Sequence, residues 1–173
     1  MGRPKERFRS LYRWCAVALT VLPQVGRAQA DGLHVVRGLR GDSVIVSRGV
    51  IAALRGDTVR ARPHRGPEVV YRAVPVSAVL AQAGSPLDSL RIGRTAWVVV
   101  AEAADDYRVV FSAAELEPGL GPTRAWLAYA RADGPLSAEE GPYRLLVPTD
   151  TRPPRAAHRI VRLRVVAVGT GAR

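Results

Sequence analysis

Chemistry is most concentrated between Arg144 and Arg159, in the run RLLVPTDTRPPRAAHR. An apolar, strand-like start leads into a proline-rich loop that carries Asp150, Arg152, Arg155, His158 and Arg159. A guanidinium presents several fixed donors at once. Cations gathered at a strand end therefore suit the grip of a carboxylate or phosphate, with no group having to change its protonation state. The same composition also describes an exposed loop that only solvates its own charges.

Other chemistry has less local support. His34, His64 and His158 lie too far apart for a metal motif of the H-E-x-x-H kind, and no residue is assigned to a metal. Asp105-Asp106 and Glu139-Glu140 are adjacent pairs in turn settings, whereas catalytic carboxylates converge from separate segments. Gly119-Leu120-Gly121-Pro122 lacks the third glycine of a dinucleotide fingerprint, and the chain has neither a Walker phosphate loop nor a G-x-S-x-G elbow. No catalytic acid, base or nucleophile is nominated.

The elements that must position the basic loop alternate strands with short helices. Trp97 to Val100 and Tyr107 to Phe111 are β-branched and aromatic, with Asp105-Asp106 as turn chemistry between them, which predicts a core hairpin. Ser112 and Glu115 then have capping-box spacing and predict a helix start. Upstream, Leu33 to Arg37 and Ser43 to Val46 read as strands about a Gly41-Asp42 turn. Ser47 opens a helix carrying Val50, Ile51 and Leu54, with Gly56 as its expected C-cap. Asp57 to Arg62 and Glu68 to Val74 read as a strand pair, and Pro75 to Gly84 as a helix with Val76, Val79, Leu80 and Ala83 on one face. Downstream, Arg124 to Arg131, Tyr143 to Val147 and Arg159 to Val168 are further strands, the last expected to close the sheet. The fold class predicted is α+β, as a single mixed β-rich domain.

The first thirty residues are set apart. Arg3, Lys5, Arg7, Arg9 and Arg13 precede a short apolar run, Trp14 to Leu22, and the small-x-small site Ala28-Gln29-Ala30. That order predicts a secretory signal peptide over 1–30, a domain over 31–173, and a periplasmic or secreted product. The apolar run is well short of the ~20 residues that span a bilayer, so no integral membrane segment is expected. Of the 26 Lys and Arg and 15 acids behind the +11 net charge, the leader holds six and one, which leaves +6 on the remainder. No aromatic-interleaved basic motif accompanies that charge, and nucleic acid is not an expected partner. The only cysteine, Cys15, falls in the leader, so thiolate metal sites and cysteine nucleophiles are absent after residue 30.

Several pieces in order carry a likeness: SRGVIAALRGDTVRA, PVSAVLAQAG, ADDYRVVFSAAELEP, LAYARADGPLSAEEGPYRLLVPTD and RIVRLRV. Together, from about Val46 to Val168, they resemble the oxidoreductase molybdopterin-binding domain of the sulfite oxidase type, in a short exported stand-alone form. Tyr107, Arg108, Gly141, Pro142, Arg144, Val147, Pro148 and Asp150 match the family's A-D-G-Y-R and G-P-x-R-L-x-V-P-x-D patterns. The resemblance implies a molybdopterin-dependent oxidoreductase-like domain. It also implies that Arg152, Arg155 and His158, with Arg108 on the hairpin, grip the pterin or another small anion. Larger family members ligate molybdenum through a cysteine thiolate, which residues 31–173 do not offer. The alternative expectation is a cofactor-free periplasmic binding or interaction module on the same scaffold.

Overall fold

The computed structural model describes residues 32–37, 41–62, 66–85, 87, 97–121, 123–151 and 153–168. The proposed signal segment, His64 and Arg152 lie outside the described residues. The architecture is mixed α+β and strand-rich, with two sheets.

In the first sheet the order is β2 (Asp42–Ser47), β1 (Gly32–Arg37), β10 (Ile160–Ala167), β5 (Trp97–Ala103), β6 (Arg108–Ser112). All neighbours are antiparallel except β1 and β10, which run parallel. The last strand therefore does not close the sheet as expected. It is the central one, buried residues Ile160, Leu163 and Val165 facing the core. The hairpin forms as its sequence predicts, with Asp106 at φ 65 in the turn, and β6 is an edge strand.

The second sheet runs β3 (Asp57–Ala61), β4 (Val69–Pro75), β7 (Trp126–Arg131), β8 (Gly134–Pro135), with β9 (Arg144–Leu146) also paired to β7. Helices α1 (Arg48–Ala53), α2 (Val76–Gln82) and α3 (Ala113–Leu116) are each short. Ser47 caps α1 by accepting from Val50 N, and Ser112 caps α3 by accepting from Glu115 N at 3.1 Å. In α2, Val76, Val79, Leu80 and the following Ala83 are buried, as their spacing predicts, and Gly84 follows at φ 76. Gly56 does not cap α1; that place falls to Leu54. Gly56 is instead a close-approach glycine, because a Cβ there would sit 2.4 Å from Ala73 O.

The main core lies between the sheets and helices and includes Leu33, Val35, Ile51, Leu80, Phe111, Leu127, Leu145 and Leu163. A smaller cluster, Val59, Tyr71, Ala73, Ala128 and Leu146, forms on the second sheet. Strand side chains alternate faces. Leu145 joins the main core, so its neighbours Arg144 and Leu146 turn to the smaller cluster, and the candidate site is built there. Among the described residues, no helix is long and apolar enough to cross a membrane.

Candidate anion-binding site

The basic loop enters a 3-10 turn, Pro153–Arg155, that aims Arg155 back at the body of the protein. Its Nε donates to Asp150 Oδ2 at 2.8 Å, Nη2 to Asp150 Oδ1 at 2.5 Å and Nη1 to Glu115 Oε1 at 2.8 Å. The guanidinium also stands 5.0 Å from the Phe111 ring centroid. The hydrogen bond to Asp150 is the chief cause of its raised pKa. Arg155 thus straps the loop to α3 and β6, and an incoming anion would have to compete with two carboxylates already in place. Tyr107 fastens the same loop by donating its hydroxyl to Pro154 O at 2.6 Å.

The other nominated residues are dispersed. Arg108 lies on the first sheet, largely exposed, 3.8 Å from Glu102, a carboxylate that Arg162 and Arg164 also hold at 3.0 and 3.1 Å. His158 is exposed, and its imidazole is held below its ordinary pKa first by partial desolvation and then by the charge of Arg144. Neither Arg155 nor His158 lines the cavity that opens beside the loop.

That cavity is built around Arg144, which the sequence places at the start of a strand and in the family-like G-P-x-R-L pattern but not among the anion-gripping residues. Arg144, 2% exposed, donates from Nη1 to Tyr71 Oη at 2.9 Å and to Glu140 Oε1 at 2.5 Å. Tyr71 in turn donates to Glu140 Oε1 at 2.7 Å, and Arg131 Nε donates to Glu140 Oε2 at 2.8 Å. Burial alone would push the Glu140 carboxyl up. Hydrogen bonds from Tyr71, Arg131, Ser137 and Arg144 outweigh it and hold the pKa at about 2. Burial, then the bond to Glu140, raises Tyr71 to about 12. Charge at this centre is therefore fixed across the neutral range. One donor is left over: Arg144 Nε is buried with no hydrogen-bond partner among the described residues. A buried N–H left unpaired costs about 1–3 kcal/mol.

The Arg144 side of the network forms part of the wall of a cavity of about 420 Å³. Arg60 and Arg62 contribute from the end of β3, with Glu68, Leu146 and Asp150 also in the wall. The acids are engaged: Asp150 by Arg155, and Glu68 by a loose, exposed contact of 3.5 Å with Arg60. Arg62 forms no ion pair with the described residues. The paired guanidinium groups of Arg60, Arg131, Arg144 and Arg155 match the carboxylates of Glu68, Glu115, Glu140 and Asp150 in number, and Arg62 in the cavity wall adds one positive charge. The volume lies in the range of small-molecule sites, about 300–1,000 Å³. Chemically the arrangement can hold an anion. Neither Tyr71, at about 12, nor Glu140, at about 2, is poised near neutral pH as a general acid or base would be.

Sequence reasoning missed Arg60, Arg62, Tyr71, Arg131 and Glu140. One local signal existed: Arg60 and Arg62 alternate on a strand and so share a face. Tyr71 and Glu140 are 69 residues apart, and nothing local announces their meeting. Among the described residues no group of His, Cys, Asp and Glu is placed to hold a metal ion. No family model and no curated protein matches the chain.

Proposed function

We propose that the protein is an exported, cofactor-free binding module whose cavity beside Arg144 takes a small molecule bearing a carboxylate or phosphate. The observation that carries this reading is the buried Arg144 guanidinium, with an unpartnered Nε, in a cavity wall it shares with Arg60 and Arg62. Export rests on the signal-like order of residues 1–30.

The cofactor implied by the sequence resemblance fits these residues poorly. A thiolate-ligated molybdenum needs a cysteine, and none occurs after Cys15. Arg155, which stands at the family's pterin-gripping position, already donates to Asp150 and Glu115. The module reading needs neither the metal nor a free Arg155.

Phenyl phosphate tests the proposal by calorimetric titration into protein recovered from the exported fraction, alongside elemental analysis for molybdenum and fluorescence assay for oxidised pterin. The expected result is saturable binding that weakens with added salt, in a preparation without stoichiometric metal or pterin. Stoichiometric molybdenum, or no saturable binding, would overturn it.

A further inference from the structure

A second cavity, of about 750 Å³, opens where α2, α3 and the start of β7 meet. None of its wall residues belongs to the Arg144 cavity. Its apolar surface comes from Ala78 and Ala81 on α2, from Leu87, Leu116 and Pro118, and from the ring of Trp126. Leu87 and Leu116 are 3% and 4% exposed, so they are fixed parts of the core and the floor is preformed. Two guanidinium groups, Arg55 and Arg124, stand in the same wall. Both residues are exposed, and neither forms an ion pair or hydrogen bond with the described residues. The one acid in the wall, Glu117, is turned into its own loop, where Oε1 accepts from Gly119 N at 3.3 Å.

We propose that this cavity is a separate binding site for an amphipathic organic monocarboxylate, an aliphatic or aromatic acid whose apolar body lies against Ala78, Pro118 and Trp126, over the buried Leu87 and Leu116, while its carboxylate meets Arg55 and Arg124. Two cations against one acid leave a single positive charge, which one carboxylate answers. A planar guanidinium pairs with a carboxylate through two parallel hydrogen bonds. The apolar floor gains from burying hydrocarbon and gains nothing from a second charge. A bare inorganic anion would leave that floor wet, and a neutral lipid would leave the arginines unanswered. The cavity volume suits a ligand of small-molecule size.

Octanoate and its neutral isostere octanamide separate these cases on the full exported chain. Trp126 lines the cavity, so tryptophan emission responds to occupancy over the background of Trp97, and calorimetry reports the affinity. Octanoate is expected to bind saturably with a change in tryptophan emission, and octanamide to bind at least about tenfold more weakly, as the loss of one charged hydrogen bond implies. Arg124→Ala is expected to weaken octanoate by about tenfold or more while leaving phenyl phosphate binding unchanged. Arg62→Ala is expected to weaken phenyl phosphate by about three- to tenfold and to leave octanoate binding unchanged. Both arginines are exposed, so the fold should tolerate their loss, and circular dichroism checks that it does. A second variant, Ala78→Trp, places a ring in the cavity mouth and should block octanoate with the arginines intact. Equal binding of octanoate and octanamide, indifference to both Arg124→Ala and Ala78→Trp, or no saturable octanoate binding would overturn the proposal.

Discussion

Replacing Glu140 by glutamine tests the centre of the network. The carboxylate is 4% exposed and balances two guanidinium groups, Arg131 at 2.8 Å and Arg144 at 2.5 Å. Glutamine keeps the shape and removes the charge, so the two arginines are left with no counter-ion. Removing one member of a buried pair costs about 3–5 kcal/mol. The pKa gives an independent route to the size. Glu140 falls from 4.5 to about 2 on folding, and at about 1.4 kcal/mol per unit this contributes about 3 kcal/mol to stability. Because the folded pKa is the lower one, that contribution is complete above the unfolded value of 4.5 and is lost as pH falls toward about 2. Urea denaturation of wild type and Glu140→Gln at a series of pH values between neutral and strongly acid measures it. The variant should be about 3 kcal/mol less stable at pH 7, and the gap should close through the acid range. A loss below about 1 kcal/mol at pH 7, the scale of an exposed ion pair, or a gap that does not change with pH, would refute the reasoning.

Other perturbations follow from the same geometry. Tyr71→Phe deletes a hydroxyl that donates to Glu140 and accepts from Arg144; it should cost about 1–3 kcal/mol by chemical denaturation, and a neutral result would mean the hydroxyl is replaceable by water. Gly56→Ala drives a Cβ to within 2.4 Å of Ala73 O, and a melting-temperature scan should show destabilisation of about 1–3 kcal/mol. Arg62→Ala removes an exposed cation from the Arg144 cavity and should weaken phenyl phosphate by about three- to tenfold in calorimetry, with thermal stability within about 0.5 kcal/mol of wild type.

Local chemistry made most elements legible. Ser47 and Ser112 cap the helices their positions announce, and Val76, Val79 and Leu80 bury the face their spacing describes. The Asp105-Asp106 turn joins the two strands on either side of it. What sequence order hides is partnership across long separations. The alternation in β10 marks a strand with one buried face, but alternation is the same for an edge and a centre, so its parallel pairing with the distant β1 was not readable. Glu140 looked like half of a solvated turn pair, and only the approach of Tyr71 and Arg131 makes it a buried hub. Arg155 reads from sequence as part of an anion grip, and Asp150 and Glu115 are recognisable as its partners only once the 3-10 turn folds the loop back.

The proposed function requires that Arg144, in the wall of the cavity, and not the loop arginine, respond to the ligand. Nitrogen-resolved magnetic resonance of the arginine Nε–H groups, followed during addition of phenyl phosphate, tests it most directly. The account predicts that the Arg144 Nε–H signal, buried and unpartnered in the free protein, shifts in a saturable way while the Arg155 Nε–H, held by Asp150, stays in place. A saturable shift confined to Arg155, with Arg144 unmoved, would contradict it.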